Sequence, residues 1–151
     1  MNILTHIGGN IYIGSSLDVE TLDSPMSPKI DLVVNVAKEI DILDNAPTGI
    51  WYIKFGLIDK NVEQTRYIID ACETIREGIL NGEKVMVHCN AGISRSSIVC
   101  ISTLHLMGLS WEEAERIVRE RHKPAYLMNN ELLNTTKKYW DITYKKRVGS
   151  G

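Results

Sequence analysis

In His88-Cys89-Asn90-Ala91-Gly92-Ile93-Ser94-Arg95-Ser96 a thiol and a guanidinium stand six positions apart, separated by small, uncharged residues. The apolar run Val85-Met86-Val87 precedes them and Ile98-Val99-Cys100-Ile101 follows, a pattern that predicts strand, tight loop and helix. Successive backbone N–H groups in such a loop, together with the free amides of a helix N-terminus, make an anion cradle into which a phosphate fits. A cysteine in that field, beside an arginine, is favoured as thiolate and hence as nucleophile. The Arg95 guanidinium can grip two phosphate oxygens at once. Gly92 permits a backbone conformation or a close approach that a Cβ would oppose.

His88-Cys89-x-x-Gly92-x-x-Arg95-Ser96 resembles the signature of the cysteine-dependent protein tyrosine phosphatases, and Asn90 to Ser96 most resembles their dual-specificity branch. The resemblance runs, more loosely, from about Asn10 to about Trp140. It implies Cys89 as nucleophile and Arg95 as phosphate clamp. The loop residues Asn90, Ala91, Gly92, Ile93 and Ser94 would bind the phosphate through their amides, and Ser96 would hydrogen-bond the departing sulfur. A general acid from a loop some thirty residues before the cysteine is implied too, and Asp59 stands there; a cap or first-turn acid of the helix that follows is the alternative reading of it. Asp41 and Asp44 lie farther back and fit less well. His88 is read as a structural neighbour that tunes the nucleophile. Asn35, a polar residue in the apolar run Leu32–Ala37, is expected to brace the phosphate loop; a bond to a nearby turn is the alternative.

These groups need a scaffold. Asn10–Gly14 alternates like a strand, Leu32–Ala37 reads as a strand buried on both faces, and Ile50–Leu57 is another. From Val62 to Leu80 the apolar residues Tyr67, Ile68, Cys72, Ile75 and Ile79 recur at helical spacing, and Gly82 stops that helix. The segment after Arg95 is apolar on nearly all sides as far as Met107, which predicts an enclosed helix. Ser110-Trp111-Glu112-Glu113 starts another that Pro124 ends, and Asn129-Asn130-Glu131 opens the last. The expected fold is α/β. It has a central, mixed, partly parallel sheet with helices on both faces, and its phosphate loop lies between a central strand and a buried helix.

With 151 residues, 44% hydrophobic, the chain has the size of one domain. Its core is expected over about residues 8–144, with 145–151 a flexible tail. The net charge of −2 gives no reason to expect a nucleic-acid or membrane surface. No apolar run approaches the length of a membrane span. Three cysteines without a CxxC pair make no disulfide framework, and a working thiolate calls for a reducing cytoplasmic or nuclear setting. Cys72, Cys100 and His105 read as core groups, and no metal or other cofactor is expected. Arg116, Arg119, Arg121, His122 and Lys123 read as a solvated helix face whose last-turn cations complement the helix dipole, in preference to a docking patch.

The expected activity is hydrolysis of phosphotyrosine and of phosphoserine or phosphothreonine in proteins, through a cysteinyl-phosphate. An RNA 5′-triphosphate or phosphoinositide hydrolase built on the same loop, and a non-catalytic phosphate-binding module, are the alternatives. Against the first pair, none of Asn90, Ala91, Ile93 and Ser94 carries the charge that a polyphosphorylated substrate would call for.

Overall fold

The computed structural model describes residues 4–42 and 46–149, with the side chains of 148 and 149 excepted; Asp44 lies outside the described residues. Leu32–Ala37 (β3) is buried at every position, as expected of a strand covered on both faces. It pairs in parallel with Trp51–Leu57 (β4) on one side and Val85–His88 (β5) on the other. β5 also pairs in parallel with Ile11–Gly14 (β2), and Thr5–Gly8 (β1) adds antiparallel to β2. The order β1-β2-β5-β3-β4 puts β5 in the middle of a mixed five-stranded sheet. The sequence reading did not include β1. Its four residues bury only Ile7, too little for an alternating pattern to register.

Side chains alternate across the sheet. Ile11, Ile13, Leu32, Val34, Val36, Val85 and Val87 point into the larger core, with the α-helices Thr65–Leu80 (α1), Arg95–Leu106 (α2), Trp111–Arg121 (α3) and Asn130–Gly149 (α4). Val33 and Met86 point the other way, where Val19 of a 3-10 helix at Ser16–Thr21, together with Leu22 and Ile30, covers them. Helices thus lie on both faces, but unequally. α1 buries Ile68, Ile69, Ala71, Cys72 and Ile75, whereas Tyr67 is exposed. It begins at Thr65, three residues later than expected, where the Glu63 carboxylate accepts the Thr65 N–H at 2.7 Å. Gly82, at φ +81°, ends it.

α2 is buried at each residue from Arg95 to Thr103, which makes it the enclosed helix the sequence predicts. His105 stacks on Trp111, ring centroids 4.0 Å apart, as a core-edge group. The Ser110 hydroxyl caps α3 by accepting the Glu113 N–H at 3.1 Å. α4 overruns the expected end of the core: 145–149 continue the helix, and Arg147 pairs with Asp70 and Glu73 of α1. A run of cations that reads as a tail is tied down by carboxylates a whole helix away. Among the described residues, no helix is long and apolar enough to cross a membrane.

Candidate active site

β5 ends at His88 and hands the chain to the loop at Cys89, which is 3% exposed; α2 takes it up at Arg95. Gly92 turns the loop at φ +72°, and a Cβ there would lie 2.7 Å from the carbonyl oxygen of Gly14 at the end of β2. Both reasons for glycine, conformation and close approach, hold at this one residue.

Donors outside the loop capture its carbonyls. His88 Nδ1 lies 2.9 Å from the Cys89 oxygen, and the N–H and hydroxyl of Ser16 each lie 3.2 Å from that of Asn90. His122 Nε2 lies 2.5 Å from the Gly92 oxygen, and the Ser97 hydroxyl 2.5 Å from that of Ile93. A trans peptide points its C=O and the next N–H in opposite directions. Holding these four carbonyls outward therefore turns the amides of Asn90, Ala91, Ile93 and Ser94 toward the concave side of the loop. Burial pushes the pKa of both His88 and His122 down, so each ring is neutral and donates one N–H. His122 is thus a buried donor to the loop, and the reading of it as a surface cation at a helix end is corrected.

On the concave side is a cleft of about 350 Å³ bounded by Asp59, Cys89, Asn90, Ala91, Ile93, Ser94, Arg95 and Leu127. Cys89 Sγ is 3.3 Å from Ser96 Oγ, within reach of the bond expected of that pair. Arg95 is 6% exposed. Its Nη1 and Nη2 hold the two carboxylate oxygens of Glu39, each at 2.6 Å, and Nη1 also donates to the Leu57 carbonyl at 3.0 Å. The guanidinium keeps the Glu39 carboxyl ionised, its pKa drawn down to about 2. This end-on grip leaves the side-on edge of the guanidinium, Nε–H with the second Nη2 hydrogen, and the buried Nε–H has no partner among the described residues.

Asp59 Oδ1 accepts the Ser94 hydroxyl at 3.0 Å, and that hydroxyl oxygen accepts the Asn129 N–H at 2.9 Å. Asp59 is not the cap of α1. Gln64 stands at that cap, and its amide holds the residue before Asp59, accepting the Ile58 N–H at 2.9 Å and donating to the Ile58 carbonyl at 2.8 Å. Asp41 pairs with Lys54 at 2.9 Å. Asn35 does not reach the phosphate loop: its side chain accepts the Ala37 N–H at 2.9 Å and donates to the Ile40 carbonyl at 2.6 Å. The bracing expected of it is corrected to closing the turn that carries Glu39, a local bond of the kind asparagine makes readily. Cys72 and Cys100 are fully buried, and burial raises the Cys72 thiol to about 12 and Cys100 higher still.

The family described as dual specificity phosphatase, catalytic domain, matches residues 11–146. The chain belongs to this family. It is 30% identical over 138 residues to dual specificity protein phosphatase 8 of Mus musculus, with 90% of this chain and 20% of that protein covered. To dual specificity protein phosphatase 1B of Arabidopsis thaliana it is 29% identical over 125 residues, with 82% and 74% covered. It also resembles the tyrosine-protein phosphatase vhp-1 of Caenorhabditis elegans, 29% identical over 153 residues; 96% of this chain and 22% of vhp-1 are covered. The chain thus spans about a fifth of the length of two of these relatives. Among solved structures, DUSP15 superposes with a TM-score of 0.79 at 22% identity, covering 97% of this chain and 93% of that one. Human DUSP28 gives 0.75 at 22%, covering 90% and 91%.

Sequence reasoning missed Glu39, Gln64, Ser16 and Asn129, and misread His122. A buried arginine demands a carboxylate, and that need is all the signal Glu39 left, since nothing local says which carboxylate meets it.

Proposed function

We propose that this chain hydrolyses phosphate monoesters on proteins, phosphotyrosine as well as phosphoserine and phosphothreonine, through a cysteinyl-phosphate. The observation that carries the reading is the buried, unpartnered Nε–H of Arg95 in a cleft that also holds the Cys89 thiol. A buried donor without a partner is costly, and a phosphate oxygen supplies the partner. The Cys89 thiolate attacks phosphorus in line while the loop amides and the side-on edge of Arg95 hold the equatorial oxygens. The P–O bond to the substrate breaks, its oxygen takes a proton from Asp59, and a P–S bond forms. A water then attacks phosphorus and gives its proton to the Asp59 carboxylate. The P–S bond breaks, the Ser96 hydroxyl donates to the sulfur, and inorganic phosphate leaves.

Charge favours a monoester over a triphosphate or an inositol polyphosphate. Among the described residues Arg95 is the one cation bounding the cleft, and Lys60, Arg121 and Lys123 stand outside it. The membership of a family described by its phosphatase activity supports catalysis over passive phosphate binding. The test is turnover on phosphotyrosine peptide, phosphothreonine peptide, phosphoinositide and RNA 5′-triphosphate side by side. Efficiency on either of the last two that is tenfold above the best phosphopeptide overturns the reading.

A further inference from the structure

We propose that Leu127 selects the side chain that brings the phosphate, favouring the ring of phosphotyrosine over the short stem of phosphoserine or phosphothreonine; this rests on the phosphatase reading above. Leu127 is 76% exposed and borders the cleft. A single exposed leucine is ordinary; one fixed at the mouth of a phosphate site, beside Ala91 and Ile93, is an apolar border.

The backbone under this border is fastened on both sides. Leu127 ends a 3-10 helix, Lys123–Leu127, whose neighbours Ala125 and Met128 are buried. Arg119 fastens this segment from α3: Nη1 donates to the Ala125 carbonyl at 3.2 Å, the guanidinium lies 5.6 Å from the centre of the Tyr126 ring, and Nη2 donates to Asn130 Oδ1 at 2.9 Å. On the other side the Asn129 N–H is anchored to Ser94 of the phosphate loop. The backbone that carries Leu127 is therefore pre-set relative to the phosphate loop, and a contact there orders only the leucine side chain on binding.

Geometry then separates the substrates. With phosphorus in the loop, a phosphotyrosine ring fills the space between the cradle and the rim and lays an apolar face on the leucine. The stem of phosphoserine or phosphothreonine is too short to do so, and brings its peptide backbone to the same height.

Two peptides of one sequence, carrying phosphotyrosine or phosphothreonine, are assayed with the wild-type chain, Leu127→Ala and Leu127→Met, reading KM and kcat separately, with inhibition by tungstate as a probe of the loop alone. Leu127→Ala is expected to raise KM for the phosphotyrosine peptide about five- to tenfold, the loss of between one and two buried methylene equivalents at about 0.8 kcal/mol each. The loss falls in KM and not in kcat, is less than about twofold on the phosphothreonine peptide, and spares tungstate inhibition. Leu127→Met, which keeps apolar volume, restores the phosphotyrosine KM. Equal losses on both peptides, no loss on either, or a matching loss of tungstate affinity overturns the proposal while hydrolysis by the wild-type chain leaves the phosphatase reading standing. Failure of the wild-type chain to hydrolyse either peptide overturns both.

Discussion

The segment from Cys89 to Arg95 is contiguous and brings the thiol, the amides and the guanidinium, whereas Ser16, Glu39, Gln64 and His122 arrive from four other parts of the chain. The first set bounds the cleft. The second stands behind: Ser16 and His122 hold carbonyls of the loop, Glu39 holds the far end of Arg95, and Gln64 holds the backbone beside Asp59, the acid that reaches the loop from outside it. One set carries reacting atoms, the other fixes their directions. Substitutions in the two sets should therefore fail differently, the first in chemistry, the second in alignment and stability.

The sharpest break comes at the contiguous set. Cys89→Ser is expected to abolish turnover, because a hydroxyl at this position is not ionised at neutral pH, while the cradle survives and still binds tungstate. Residual activity within tenfold of wild type would sink the nucleophile assignment. Asp59→Asn, at the acid that faces this set across the cleft, comes next. It should slow phosphopeptide hydrolysis about 10²–10⁴-fold and an activated aryl phosphate far less, since that leaving group departs unaided. Equal losses on the two substrates would make Asp59 a structural group.

Glu39→Gln tests the second set. It leaves Arg95 buried without its anion, and a misaligned guanidinium should lower kcat/KM about tenfold to a hundredfold and weaken tungstate binding in parallel. Unchanged tungstate affinity would show that Arg95 keeps its direction without Glu39. The smallest effect lies at His122 and is read in stability against pH. Burial depresses the folded-state pKa of His88 and His122 below the ordinary 6.5. Below that pH the unfolded chain binds more protons than the folded one, so stability is full above about pH 6.5 and falls as pH drops beneath it. The Glu39 carboxyl, at about 2 against an ordinary 4.5, contributes above 4.5 and loses that contribution only in stronger acid. Thermal midpoints measured from pH 7 to pH 5 should decline, and His122→Gln, which keeps an N–H donor and does not titrate, should flatten the slope. An unaltered slope would remove His122 from this account.

The same division decides what a sequence discloses. Strand, loop and helix around Cys89 are written in consecutive residues, so β5, the loop and α2 were all legible, and with them the α/β class. β3 was legible because a strand buried on both faces is apolar at nearly every position. What was hidden depends on pairs far apart in the chain. Glu39 and Arg95 are 56 residues apart and His122 and Gly92 are 30 apart, and no local pattern signals such a partner. Asn35 was misjudged for a related reason: a buried amide announces a need for partners without saying where they are. Arg147 repeats the lesson at the surface, where carboxylates of α1 turn a polar stretch into helix.

The contact between Gly92 and Gly14 sets a limit on how this site can vary. A methyl group at 92 would meet main-chain atoms of Gly14 at 2.7 and 2.9 Å, and one at 14 would meet the Asp18 carboxylate at 2.9 Å and Met86 at 3.0 Å. The obstruction at 92 is backbone, so no smaller neighbour can make room for it. The obstruction at 14 is made of side chains, one of which is a flexible methionine. In a saturation scan position 92 should tolerate nothing but glycine in any background, while alanine at 14 becomes acceptable once Asp18 and Met86 are free to change. Drift in this part of the molecule is thereby channelled toward the end of β2 and away from the loop that would hold the phosphate.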